Sequence, residues 1–266
     1  MNNKIYLISY MGGLGGEFLS GMIAQDPNFR KPMIFSNEPA LNKYYYVDVI
    51  TSMYNFRQLK TDHSAFQYFI DQREKYQQHL AGKSICICTH ADINFNDYSF
   101  SDDDIINIVK LNVSFENIAY PLILQIIKNH LLYPVLLDST SGLEVTKIEQ
   151  LTYNNYGQVT FENIQKFLRE TIYNYIKNFG EFKGTKYLNV YKFLSNPENE
   201  MPDWINTFNL SGPLDIDSIK TYHQKNIQLI ESTMDLDFKE IMLMNMRALE
   251  NFISDRIKRH SKCLEN

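Results

Sequence analysis

Gly12, Gly13, Gly15 and Gly16 crowd into one short stretch. An apolar run, Ile5 to Ile8, precedes them, and Phe18, Leu19, Met22 and Ile23 follow at helical spacing. Strand, glycine turn and helix is the arrangement with which α/β proteins hold a phosphate group. Glycine reaches positive φ and lets backbone N–H groups come close to a ligand. The helix that follows adds the positive end of its dipole. The stretch fits neither standard pattern. Glu17 and Phe18 stand where a P-loop has its last Gly and its Lys, and G-x-G-x-x-G fails in every register. The loop holds no Lys or Arg, and Glu17 suits the dipole but would repel a phosphate. A tight turn without a ligand is the plain alternative. A second apolar run, Lys83 to His90, ends in Thr89 and His90. His90 is the histidine expected at a strand end, which makes it the candidate general base. His63, His79, His130 and His223 fall in expected helices or loops without a partner at ligand spacing, so no metal site is expected.

The elements that would position these residues can be read along the chain. Strands are expected at Ile5 to Ile8, Lys83 to His90, Ile105 to Leu111 and Lys186 to Phe193, with a short strand at Met33 to Phe35. Helices are expected at Ser64 to Leu80, Ser114 to Leu132, Thr160 to Phe179, Met201 to Phe208, Ser218 to Thr233 and Phe238 to Ile257. Ser114 is placed as an N-cap, and Pro121 either kinks the helix or marks a later start. Tyr44 to Tyr46 read either as a helix face over a cleft or as packing. Tyr133 to Gln158 gives little signal, with Asp138 to Gly142 as loop. The basic cluster Arg256, Lys258, Arg259 and His260 reads as a solvated helix end. Strands separated by helices predict an α/β fold with a parallel central sheet and helices on both faces. Residues 1–266 are expected to form one domain, with 28–80 as a possible substrate-side insertion.

Composition narrows the function classes. The net charge of −5 argues against general nucleic-acid binding, which needs a concentrated positive field. Cys86, Cys88 and Cys263 are too few and too scattered for a disulfide framework or a zinc site, which points to a reducing, cytoplasmic setting. No signal peptide is recognisable, and no apolar run is long enough to span a bilayer.

Four stretches at the expected carboxyl ends of strands resemble, in order, the sulfotransferases that use 3′-phosphoadenylyl sulfate (PAPS). They are the glycine loop, Thr89-His90, Lys110 with Asn112 and Ser114, and Tyr191-Lys192 in YKFLSNP. The tail DWINTFNLSGPL is similar to the helix and loop that follow in that family. The resemblance implies a P-loop-type three-layer fold and sulfuryl transfer from PAPS to a hydroxyl of a carbohydrate or small molecule. It implies His90 as catalytic base and Gly12, Gly13, Leu14, Gly15, Gly16 and Glu17 as the phosphosulfate loop. Lys110 and Ser114 would hold the 3′-phosphate, and Tyr191 would pack near the adenine. The sequence departs from the family at Cys88, where a Lys is usual, and at Lys192, where an acid is usual. It also lacks the Arg of the third strand and the C-terminal glycine-rich basic segment. A nucleotide kinase of the broader P-loop type, and a non-catalytic binding protein on the same fold, are the alternatives. The absent Lys-[ST] pair weighs against the kinase.

Overall fold

In a computed structural model of the chain, the described residues are 4–10, 12–30, 33–34, 44–45, 82–90, 106–131, 134–137, 142–180 and 186–260. The chain packs as two compact units. One comprises residues 1–114 and 181–221, the other 115–180 and 222–266.

The first unit is built on a parallel sheet. Its strands are β1 (Ile5–Tyr10), β4 (Ile85–His90), β5 (Ile106–Asn112) and β8 (Lys186–Asn189), in the spatial order β4-β1-β5-β8. Every residue of β1 is buried, as expected for an apolar strand at the centre of a parallel sheet covered on both faces. The fold is therefore α/β, a parallel sheet flanked by helices. α1 (Gly16–Ile23) follows β1, while α5 (Val190–Ser195) and α6 (Pro197–Phe208) follow β8. An aromatic core ties this unit together. Phe193 stacks on Trp204 with ring centroids 4.0 Å apart, Phe208 links Trp204 to Tyr6, and Tyr6 in turn meets Phe29. Asp26 fixes the tail that follows α6. Its carboxylate accepts from the backbone N–H and the hydroxyl of Ser211 at 2.7 and 2.8 Å, and from the Asn28 N–H at 2.8 Å. A two-residue antiparallel pair, β2 (Met33–Ile34) with β3 (Tyr44–Tyr45), makes Tyr44 and Tyr45 strand residues rather than a helix face.

The second unit is helical, with one small hairpin. A 3₁₀ turn at Phe115–Asn117 leads into α2 (Ala119–Ile126), which runs on into a π turn at Ile127–Leu131. β6 (Pro134–Leu136) pairs antiparallel with β7 (Glu144–Thr146), and α3 (Lys147–Tyr156) and α4 (Phe161–Gly180) follow. α7 (Ile216–Met234) runs from the first unit into the second, which closes with α8 (Phe238–Leu243) and α9 (Met246–His260).

Three boundaries differ from expectation, each for a local reason. Ser114 does not cap the helix after β5. The α-helical turns begin at Ala119, so Pro121 sits in the first turn, where its missing N–H has no intrahelical acceptor to lose. The helix expected from Phe238 to Ile257 breaks at Met244 and Asn245, because Asn245 Oδ1 accepts the Ala248 N–H at 2.9 Å and starts a new helix. In the described part of the stretch from Tyr133 to Gln158, a capping box heads α3 where the residue pattern carries little signal. There Glu149 Oε2 accepts from the Thr146 N–H and hydroxyl, each at 2.8 Å. The expected helix at 64–80, the candidate loop residues 138–141, and His63, His79 and Cys263 lie outside the described residues.

Candidate functional site

The sheet order itself marks a candidate site. The chain leaves β1 for β4 on one side, whereas β5 connects onward to β8 on the other. Ligands in open α/β sheets gather outside the carboxyl ends of two neighbouring strands whose connections diverge in this way. Here those strands are β1 and β5. The glycine loop follows β1 at this edge, and Val113 and Ser114 follow β5.

The loop is shaped by two left-handed residues, Gly13 at φ 85° and Gly15 at φ 71°. Side chains other than glycine's pay about 1–2 kcal/mol for that conformation. Gly15 is also the residue from which α1 starts, with no side chain capping the first turn. The other loop residues are held by packing. Leu14 is buried, so it brings backbone alone to the loop surface. Gly16 lies under the Tyr10 ring, where an added Cβ would fall 2.3–2.5 Å from ring atoms. Glu17 lies in the first turn of α1.

Register aligns the flanking strands. His90 is level with Tyr10, the last residue of β1, and Thr89 is level with Ser9. On the other side Ser9 is level with Lys110, and Lys110 with Tyr187 of β8. Residues paired in register across parallel strands share a face, so Ser9, Lys110 and Tyr187 form a polar row one step below the loop. Asn112 continues it two residues further along β5. Ser9 and Lys110 are almost fully buried, at 0% and 1% exposed. Ser9 Oγ and Asn112 Oδ1 find no hydrogen-bond partner among the described residues. Burial pulls Lys110 down from 10.5 to about 8, and its ammonium lies 6.0 Å from the centre of the Tyr187 ring. Sequence reasoning missed Ser9, because a serine inside an apolar strand carries no signal of its own.

Tyr191 is not at a strand end. β8 stops at Asn189, whose side chain accepts the Lys192 N–H at 3.0 Å and opens α5, so Tyr191 and Lys192 lie in the first turn of a helix. Ser114 lies between β5 and the 3₁₀ turn, partly exposed. Cys86 is buried on β4, level with Tyr6, whose hydroxyl is pushed up to about 12 by burial and by that neighbour. Among the described residues no group of three or more His, Cys, Asp or Glu is placed to hold a metal ion, and no helix is long and apolar enough to cross a membrane.

No family model and no curated protein matches this chain. A solved structure described as the sulfotransferase domain from the curacin biosynthetic pathway aligns over 94% of this chain and 83% of its own, at 10% identity and a TM-score of 0.37. At that distance nothing about activity passes from one protein to the other.

Proposed function

We propose that the carboxyl edge of the sheet binds a nucleotide phosphosulfate, and that the protein moves a sulfuryl group from PAPS to a hydroxyl. One observation carries this reading. Two left-handed glycines turn the chain from β1 into α1 at the divergence of β1 and β5, with His90 and Lys110 aligned on the strands at either side. The donor set is consistent with such a group. Backbone N–H groups of the loop from Gly12 to Glu17 would take the phosphosulfate, and Lys110 with Ser114 would serve the 3′-phosphate. Tyr191 would pack near the adenine from the first turn of α5. The unpartnered Asn112 Oδ1 is an acceptor, which suits a ligand hydroxyl or amine rather than a phosphate oxygen.

In the reaction the acceptor oxygen bonds to sulfur while the bond from sulfur to the phosphate oxygen breaks. His90 takes the acceptor's proton, and 3′,5′-ADP leaves. The base must be neutral to do this. A second reading, a binding protein without catalysis, is favoured by one feature. The loop carries no cation, and the Lys110 ammonium is engaged by Tyr187.

The test is calorimetry with 3′,5′-ADP and transfer assays with PAPS. Gly15→Val should abolish nucleotide binding. His90→Ala should leave binding intact and lower turnover by about a hundredfold to ten-thousandfold, the usual worth of a positioned base. Binding of 3′,5′-ADP without transfer to any hydroxyl acceptor would favour the non-catalytic reading. Absence of binding would remove both.

A further inference from the structure

The second unit holds a cavity of about 270 Å³, between the π turn, the head of α3, the end of α7 and α9. Its lining is mainly apolar, with Leu131 and Ile257 among its walls. Arg256 is the cation of this cavity. Sequence alone placed Arg256 at a solvated helix end, yet its side chain is only 20% exposed. Nε donates to the Thr233 carbonyl at 3.1 Å, and Nη1 reaches Asp235 Oδ2 at 3.4 Å. Asp235 is 78% exposed, so that pairing is long and open to solvent. A guanidinium has five N–H donors in a planar fork, and these two contacts leave its Nη2 edge uncommitted.

Thr146, Glu149 and Ser232 of the lining are engaged. Glu149 is buried, and its Oε2 already accepts both Thr146 donors of the capping box. The Ser232 hydroxyl donates to the Leu229 carbonyl, and Ser232 is exposed, which puts it at the mouth. Arg256 thus lines the cavity with guanidinium donors to spare, beside the apolar Leu131 and Ile257. Pockets for drug-sized ligands usually run about 300–1,000 Å³, so the occupant is small. An apolar body with one planar oxyanion is its complement, because carboxylate pairs with the arginine fork through two parallel bonds.

We infer that this cavity binds a small carboxylate with a short apolar body, its carboxylate on Arg256 and its body against Leu131 and Ile257. Calorimetry on the full chain with benzoate, benzyl alcohol and benzylamine tests the assignment. Benzoate should bind about ten- to a hundredfold more tightly than the alcohol, the range for hydrogen bonds to a charged group. Benzylamine should bind least. Arg256→Met should lose benzoate by a similar factor. Glu149→Gln, which keeps the capping box, should bind benzoate as well or better, since a nearby negative charge is gone. The assignment is overturned if benzylamine binds better than benzoate, if no probe binds, if Arg256→Met keeps full affinity, or if Glu149→Gln abolishes binding. Should Arg256→Met fail to fold through loss of the Thr233 contact, the order of the three probes on the unaltered chain decides.

Discussion

Gly16→Ala tests whether the fourth loop glycine serves packing or a ligand. Its Cβ would meet Tyr10 Cδ1 at 2.3 Å, with Cε1 and Cγ at 2.5 Å. Ordinary carbon contacts begin near 3.5 Å, so the overlap exceeds roughly 1 Å. The ring cannot swing clear into solvent, because Tyr10 is 5% exposed. Forcing a methyl into such a site costs about 1–3 kcal/mol. Alanine's better helix propensity returns up to about 1 kcal/mol, less at a first helical position. The 2.3 Å approach puts the packing cost toward the upper end of its range, so the expected net loss is about 2 kcal/mol in urea unfolding, with the slope unchanged. Tyr10→Leu removes the ring edge, so the double variant should lose about 1–2 kcal/mol less than the sum of the singles. Gly13→Ala and Gly15→Ala should each cost about 1–2 kcal/mol through the left-handed backbone, with no rescue by Tyr10→Leu. A neutral Gly16→Ala, or penalties at Gly16 and Tyr10 that simply add, would refute the packing account.

Three further outcomes follow from the geometry. Lys110 binds its proton less tightly folded than unfolded, so stability should rise with pH between about 8 and 10.5, and Lys110→Met should flatten that rise in pH-dependent melts. Tyr120 is fully buried, accepts from Asn226 Nδ2 at 3.3 Å and lies 3.2 Å from His223 Nδ1, so Tyr120→Phe should cost about 1–3 kcal/mol in denaturant unfolding by leaving buried partners unmatched. Thr146→Ala removes the capping oxygen from the head of α3 and should cost about 1 kcal/mol by the same measurement, whereas Glu149→Gln should cost less.

The parallel sheet was legible because two of its neighbouring strands are continuous apolar runs. Ile5 to Ile8 and Ile85 to Cys88 read as buried strands, and both lie in the sheet. Boundaries were less legible where one polar side chain overrides a run. KYLNVYKF has the apolar content of a strand throughout, yet the Asn189 cap turns its second half into helix. Thr146 and Glu149 stand at capping-box spacing, and that signal could have located α3 within a stretch that otherwise reads as loop. The loop glycines were recognisable as a group, but their division of labour was not. Gly13 and Gly15 are set by positive φ, whereas Gly16 is set by the ring of a tyrosine from the preceding strand. Arg256 shows the same limit, since the Thr233 carbonyl that receives its Nε lies in α7, distant in sequence.

The absence of a cation from the loop bears on how a phosphate ligand could be held. Backbone dipoles and the start of α1 offer partial charge, and Glu17 opposes it. Lys110 is aligned one residue below the loop, but burial weakens its hold on the proton to about 8. A dianion arriving beside it would favour the ammonium and raise that value. On the proposed reading, nucleotide binding and protonation of Lys110 are therefore linked. Affinity should weaken above about pH 8, as the free lysine loses its proton, and binding at that pH should take protons up from buffer. Calorimetry in two buffers of different ionisation enthalpy measures that uptake directly. Lys110→Arg stays charged across this range and should bind without uptake if the larger fork is accommodated. A pH-independent affinity in the unaltered chain would mean that Lys110 is a packing residue under Tyr187 and that the ligand's charge is met elsewhere.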